Sequence, residues 1–297
     1  MAENSGNSNI ITRNYLDSLL IETRYMNACF PDQRMTLYGR EFPTPVMTAA
    51  LSHLDHFMFE GASKAYAEGT ARAGCILWLG MAEDAETERY AATGAPLIRI
   101  VKPYADREMI YRKIEHAEKL GALAVGIDID HPFAPDGTAD EVDGYRMAPL
   151  RAEELKAVCA STKLPVIVKG VLSVYDANEA ISAGAQGLVL SHHNNRIEYA
   201  LPPLKALPEI RKDMKKVPIF VDGEIRTGMD VFKALALGAT AVCIGRPLMA
   251  AINKDPQHGV ETYLAQVRSE LGKAMACTGC YTLDRMDPSV IHEKSWR

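Results

Sequence analysis

The chain has 297 residues, 47% of them hydrophobic, with a formal net charge of −5 and a pI near 5.9. A weakly acidic chain has no general attraction to nucleic acid or anionic lipid, and no apolar run reaches the roughly 18 residues that a membrane span needs. The polar start MAENSGNSN lacks the basic-then-apolar pattern of a secretion signal, so a cytoplasmic location is expected.

In chain order, residues 1–44 form an N-terminal extension. Residues 1–9 are expected to be disordered, and residues 15–27 to form a helix covering the bottom of the following domain. Eight apolar, strand-like runs come next, at residues 45–51, 75–81, 97–103, 123–130, 165–171, 187–193, 218–224 and 241–247. Near-continuous apolar runs indicate strands buried on both faces. Helix-like stretches separate them. Across 107–122 the apolar side recurs at Ile110, Ile114, Ala117 and Leu120, a spacing of three or four. Ser173 is placed to cap another helix that closes at Gly184, and a similar helix closes at Gly238.

Eight strand–helix units in strict alternation specify an α/β fold, a single (β/α)8 TIM barrel over residues 45–280, followed by a tail, 281–297. The competitor, an open doubly wound sheet, wants a Gly-x-Gly-x-x-Gly turn after its first strand, and none is there. The Asp-, Gly- and Pro-rich segment 131–149 follows the fourth strand, so it lies at the mouth, either as a lid or as a passive loop. Cys277 and Cys280 form a Cys-x-x-Cys pair near the end of a terminal helix. The pair has two readings, a redox or metal half-site and two ordinary thiols; a four-ligand site needs more partners than the sequence supplies, which favours the thiols, and no metal is expected.

In this fold the site sits at the C-terminal ends of the strands. Those ends carry Asp128 and Asp130, Lys169 and Gly170, the run SHHNNR from Ser191 to Arg196, the run DGEIR from Asp222 to Arg226, and Gly245-Arg246-Pro247. Charged groups at the tips of apolar strands are costly unless paired or used. Gly223 and Gly245 let backbone approach an anion closely, while Arg226 and Arg246 supply forked donors, at the usual phosphate site of this fold. Lys169 has three readings: a Schiff-base nucleophile, a fixed cation beside an anionic cofactor, or a structural partner of Asp128 or Asp130. His193 suits a base, Arg196 suits a carboxylate, and His192 faces the opposite side if alternation holds.

The segments VIVKGV, SHHNNR, VDGEIRTGMDVFKALALGA and IGRP resemble those of the FMN-dependent α-hydroxy-acid oxidases and dehydrogenases, and the variants RIVKPY, GIDID and the ending Met275–Cys280 resemble a short bacterial branch of that family. The match is dense over residues 164–249 and thinner upstream, through PYADRE and GIDIDHP. The resemblance implies FMN as cofactor, a small 2-hydroxy acid or related carboxylate as substrate, and two electrons passing to flavin N5. It makes His193 the catalytic base, Asp130 its support and Arg196 the carboxylate anchor. It also makes Lys169 the cation beside flavin N1 and O2, Ser191 a flavin contact, and Asp222, Gly223, Arg226, Gly245 and Arg246 the ribityl-phosphate grip. The expected partners are the substrate and further copies of the chain in a homo-oligomer, with no nucleic acid and no membrane.

The chain departs from the family pattern at several tips. Asn194 and Asn195 replace two glycines after the histidine, and Glu224 replaces the second glycine of Asp-Gly-Gly. Ala49-Ala50 stands for alanine-proline, Leu79 for a polar residue, Ile100 and Lys102 for glutamine and tyrosine, and Asp128 for threonine. Two rival functions remain: a flavin-free phosphate-binding lyase with Lys169 as Schiff-base nucleophile, and, favoured by the missing tyrosine and the Asn pair, a degenerate barrel that binds a flavin or phosphometabolite without turnover.

Overall fold

The computed structural model describes residues 6–26 and 28–294. Eight parallel strands form the barrel: β1 (Val46–Thr48), β2 (Leu77–Leu79), β3 (Leu97–Val101), β4 (Ala124–Asp128), β5 (Val166–Val171), β6 (Gly187–Leu190), β7 (Ile219–Val221) and β8 (Ala241–Ile244). β8 pairs with β1 through Val242–Val46 and Ile244–Thr48. The ring closes between β1 and β2, where Thr48 N donates to Ile76 O at 3.1 Å and Leu51 bridges Leu79. Each strand leads into an outer helix, such as Arg107–Lys119 after β3 and Gly228–Ala236 after β7. Ser173 caps its helix as expected, its Oγ accepting from Asp176 N.

Alternation decides what each strand shows to the interior. Met47, Trp78, Ile98, Ile100, Ile167 and Val189 fill the barrel, while Val46, Leu77, Leu79, Val168, Leu188 and Leu190 pack outward among the helices. Inside, Trp78 meets Phe220 edge to face at 5.2 Å. The inward faces continue upward into polar side chains: Ile98 and Ile100 into Lys102, Ala124 and Gly126 into Asp128, Ile167 into Lys169, Val189 into Ser191, and Phe220 into Asp222. The polar layer at the mouth is therefore the next rung of the apolar core.

The N-terminal extension is built differently from the sequence expectation. Residues 1–5 lie outside the described part. Helix α1 spans Ser8–Ser18 instead of residues 15–27, and the chain then runs as a strand, Leu19–Ile21, paired antiparallel with Ile291–Glu293. Asn7 starts the helix early by accepting from Asn9 N and Ile10 N. Nor does α1 cover the bottom. Its residues bond to the segments after β6 and β7 at the mouth, while the hairpin Met35–Leu37/Arg40–Phe42 plugs the opposite end through Met35, Leu37 and Phe42. Among the described residues, no helix is long and apolar enough to cross a membrane.

Candidate active site

A cavity of about 790 Å³ opens at the mouth, a size suited to a cofactor with a small substrate. Lys102, Lys169, His193, Asp222, Glu224 and Arg246 line it along with the apolar Ala49 and Ala50. At its centre is a buried network of charges. Asp128 accepts from Lys102 Nζ at 2.6 Å and lies 3.2 Å from Lys169 Nζ. Burial pushes the Asp128 carboxyl upward, but Lys102, Lys169 and His193 outweigh it and hold the group well below the carboxylate range. Burial likewise favours a neutral Lys169, yet Asp128, Asp130 and Asp222 win and raise it. A Schiff-base nucleophile needs a neutral amine, so the lyase reading loses its key residue. The carboxylates of Asp128 and Asp130 and the His193 ring offer three ligand-type atoms within 4.8 Å. Lys102 and Lys169 already supply cations there, and the cluster is a salt-bridge network.

Gly170 makes this packing possible. It sits at an irregularity in β5 with φ +100, and a Cβ there would come within 2.5 Å of Asp130 Cγ. Asp130 Oδ1 in turn lies 2.9 Å from His193 Nδ1. Burial raises the Asp130 carboxyl, but Lys169 and His193 bring it below its usual value, so it is ionised and only accepts. Lys169 Nζ lies 3.3 Å from the same Nδ1, so this nitrogen faces both an ammonium and a carboxylate, and the shorter contact, to an ionised Asp130, favours the tautomer with the proton on Nδ1.

The turn bearing His193 is unusual. His193, Asn194 and Asn195 have φ of +48, +56 and +67, three successive left-handed residues. Asn tolerates this region better than most non-glycine residues, which explains how two asparagines stand where the family has glycines. Both side chains are used: Asn195 Oδ1 accepts from Ser8 N at 2.6 Å and Asn194 Oδ1 from Asn9 Nδ2 at 3.0 Å. Ser191 Oγ accepts from His193 N at 3.0 Å and so supports the turn. His192 points away from the cavity, its Nε2 2.9 Å from Thr12 Oγ1 of α1.

The remaining expected residues divide into two places. Arg196 is drawn off to the segment 131–149, where it donates to Asp140 Oδ2 and Phe133 O. His131 Nδ1 lies 3.0 Å from the same Asp140 oxygen, and the His131 ring meets His193 edge to face at 4.6 Å. Burial, then Lys102 and His193, push His131 down to about 4, so the ring is neutral. At the far end of the cavity, Arg226 and Arg246 both donate to the buried Glu224 carboxylate. Gly223 and Glu224 are left-handed, with φ of +92 and +58, and Tyr263 Oη donates to Arg226 O. Arg246 is the first residue of a nine-residue helix, Arg246–Lys254.

Sequence reading placed the segment 131–149 at the mouth without singling out His131 or Asp140, and it did not place Asn9 or Arg13 at this end of the barrel. Asn9 Oδ1 accepts from Arg246 at 3.1 Å, and Arg13 donates to Glu224 O at 2.8 Å and pairs with Asp230. The only available signals were an arginine in a polar N-terminal stretch and a His-Pro after β4.

The donor set fits a flavin nucleotide. Lys169 offers a fixed cation at the centre, Ala49 and Ala50 a small-residue wall, and the two arginines an anion site some way off along the same cavity.

The FMN-dependent dehydrogenase family matches residues 2–151 and 138–293. Glycolate oxidase 3 of Arabidopsis thaliana is 31% identical over 292 residues, covering 85% of this chain and 78% of that protein. Glycolate oxidase of Spinacia oleracea is 30% identical over 300 residues, covering 88% and 80%. The crystal structure of mandelate oxidase with (S)-2-phenylpropionate superposes with a TM-score of 0.87 at 29% identity, covering 97% of this chain and 90% of that one. The chain belongs to the family of FMN-dependent dehydrogenases, and FMN is its cofactor.

Proposed function

We propose that the chain oxidises a small 2-hydroxy acid, with His193 as the base. The observation that carries this is the Asp130–His193 pair. Its ionised carboxylate, 2.9 Å from Nδ1, favours the tautomer that leaves Nε2 to accept a proton. A hydroxyl proton passing to Nε2 gives an imidazolium, which Asp130 stabilises. Bound FMN supplies the two-electron acceptor. Lys169, buried and held charged by Asp128, presents a fixed positive charge to the cofactor site. Arg196 is the carboxylate anchor, reached by exchanging Asp140 for the substrate. Residues 45–280 are the catalytic barrel in this reading, with 1–44 as extension and 281–297 as tail. The protein is read as cytoplasmic and as a homo-oligomer.

The test is anaerobic stopped-flow bleaching of the flavin by a panel of 2-hydroxy acids. His193→Gln should keep FMN and lose flavin reduction by about 10²–10⁴-fold, the usual worth of general base catalysis. His192→Gln, facing α1, should lose far less. If no 2-hydroxy acid reduces the wild-type flavin, the degenerate-barrel reading takes over.

A further inference from the structure

We propose that Glu224 is an internal anion that fills the phosphate grip, and that FMN seats its phosphate only by displacing it. The chain should therefore distinguish FMN from riboflavin poorly. This rests on the FMN assignment and deepens it.

Four observations point the same way. Glu224 has φ +58, a conformation that L residues other than Asn and Asp rarely adopt and that glycine takes freely. A glutamate held in that conformation is strained, and the surrounding contacts must hold it there. Second, its carboxylate is buried between two guanidinium groups that are themselves about half exposed to the mouth, at 55% and 48%. Third, the backbone at this residue is anchored independently, with Arg13 donating to Glu224 O at 2.8 Å. The carboxylate can swing out by side-chain rotation while the turn stays in place. Fourth, charge decides the competition. Two guanidiniums and one carboxylate leave a single positive charge. A phosphate carrying nearly two negative charges beside that carboxylate would meet repulsion in a partly buried setting. A ribityl chain ending in a hydroxyl makes no such demand.

The experiment is titration of purified, flavin-stripped protein with FMN and with riboflavin, read by quenching of flavin fluorescence, for wild type, Glu224→Gly and Glu224→Gln. Glycine relieves the left-handed strain. Glutamine keeps size and removes charge, so one variant remains informative if the other folds poorly. Both should tighten FMN by roughly tenfold or more, the scale of one hydrogen bond to a charged group, and leave riboflavin within about twofold. Inorganic phosphate should raise the melting temperature of the variants more than that of wild type. Unchanged or weaker FMN binding in both variants, with wild type still binding FMN, overturns the proposal and leaves the cofactor assignment standing. Equal tightening of FMN and riboflavin overturns it too. If no form binds either flavin, the cofactor assignment and the proposal fall together.

Discussion

At the scale of single residues, the site's chemistry is set by which buried charges have partners. Lys102 and Asp128 stand where the family has tyrosine and threonine, and they make one bond of 2.6 Å with both side chains almost fully buried. Removing one member of a buried pair leaves an uncompensated charge and costs about 3–5 kcal/mol, whereas exchanging both is tolerated far better. Lys102→Tyr and Asp128→Thr should each destabilise strongly, Asp128→Thr more because Lys169 also leans on that carboxylate. The double variant should recover most of the Lys102→Tyr loss in urea unfolding, and additive losses would show that the two charges do not act as a pair. His131 gives a pH signature. Its folded value of about 4 lies below the ordinary histidine value near 6.5, so the unfolded chain takes up the proton first. Stability should therefore be full above about pH 6.5 and decline as pH falls towards 4. His131→Asn should flatten that part of a melting-temperature profile, and an identical slope would mean the ring titrates normally.

At the scale of elements, the barrel strands were legible because each is buried on both faces, and a run such as VIVKGV has no solvent side to dilute it. Their polar tips were legible for the same reason, as interruptions at the next inward position. Helix α1 was not. It buries only Ser8, Thr12 and Leu16, and its partners lie some 180 residues further along the chain. Its register depends on contacts that no local pattern encodes. The segment 131–149 was legible as a mouth loop but not as a built one. It contains a small hairpin, Glu141–Val142 with Tyr145–Arg146, and Val142 and His131 line the cavity. Asp140 is its working residue, holding both His131 and Arg196. If the substrate carboxylate must take Arg196 from Asp140, Asp140→Asn should lower KM for a 2-hydroxy acid by roughly tenfold, the worth of one charge-assisted hydrogen bond, with kcat changing less. A raised KM would instead make Asp140 a positioning residue that Arg196 needs.

At the scale of the whole molecule, the N-terminal extension and the barrel share one mouth. Thr12 meets His192 after β6, Arg13 pairs with Asp230 and reaches Glu224 O after β7, and Asn9 accepts from Arg246 after β8. Lys233 Nζ also donates to Leu16 O at 2.8 Å, and Leu16 is fully buried. Three successive loops are thus tied to one helix that precedes the barrel in sequence. Asp230 depends most on this. Burial pushes its carboxyl upward, and the Arg13 guanidinium does most to bring it below the usual range. Arg13→Ala should cost about 1.5–3 kcal/mol, as for a lost hydrogen bond between charged groups. At roughly 2–4 °C per kcal/mol for a chain of this order, the melting temperature should fall by several degrees. A chain lacking residues 1–18 should lose more, because it also exposes the surface under Leu16 and frees His192 and Arg246. Its flavin affinity should drop along with its stability, since the loops carrying Glu224, Arg226 and Arg246, the proposed phosphate grip, lose their common brace. Calorimetry and FMN titration on the truncated chain separate the possibilities. Loss of both shows that α1 is part of the cofactor site. Loss of stability alone shows that it only braces the barrel, and retention of both shows that the extension is an appendage.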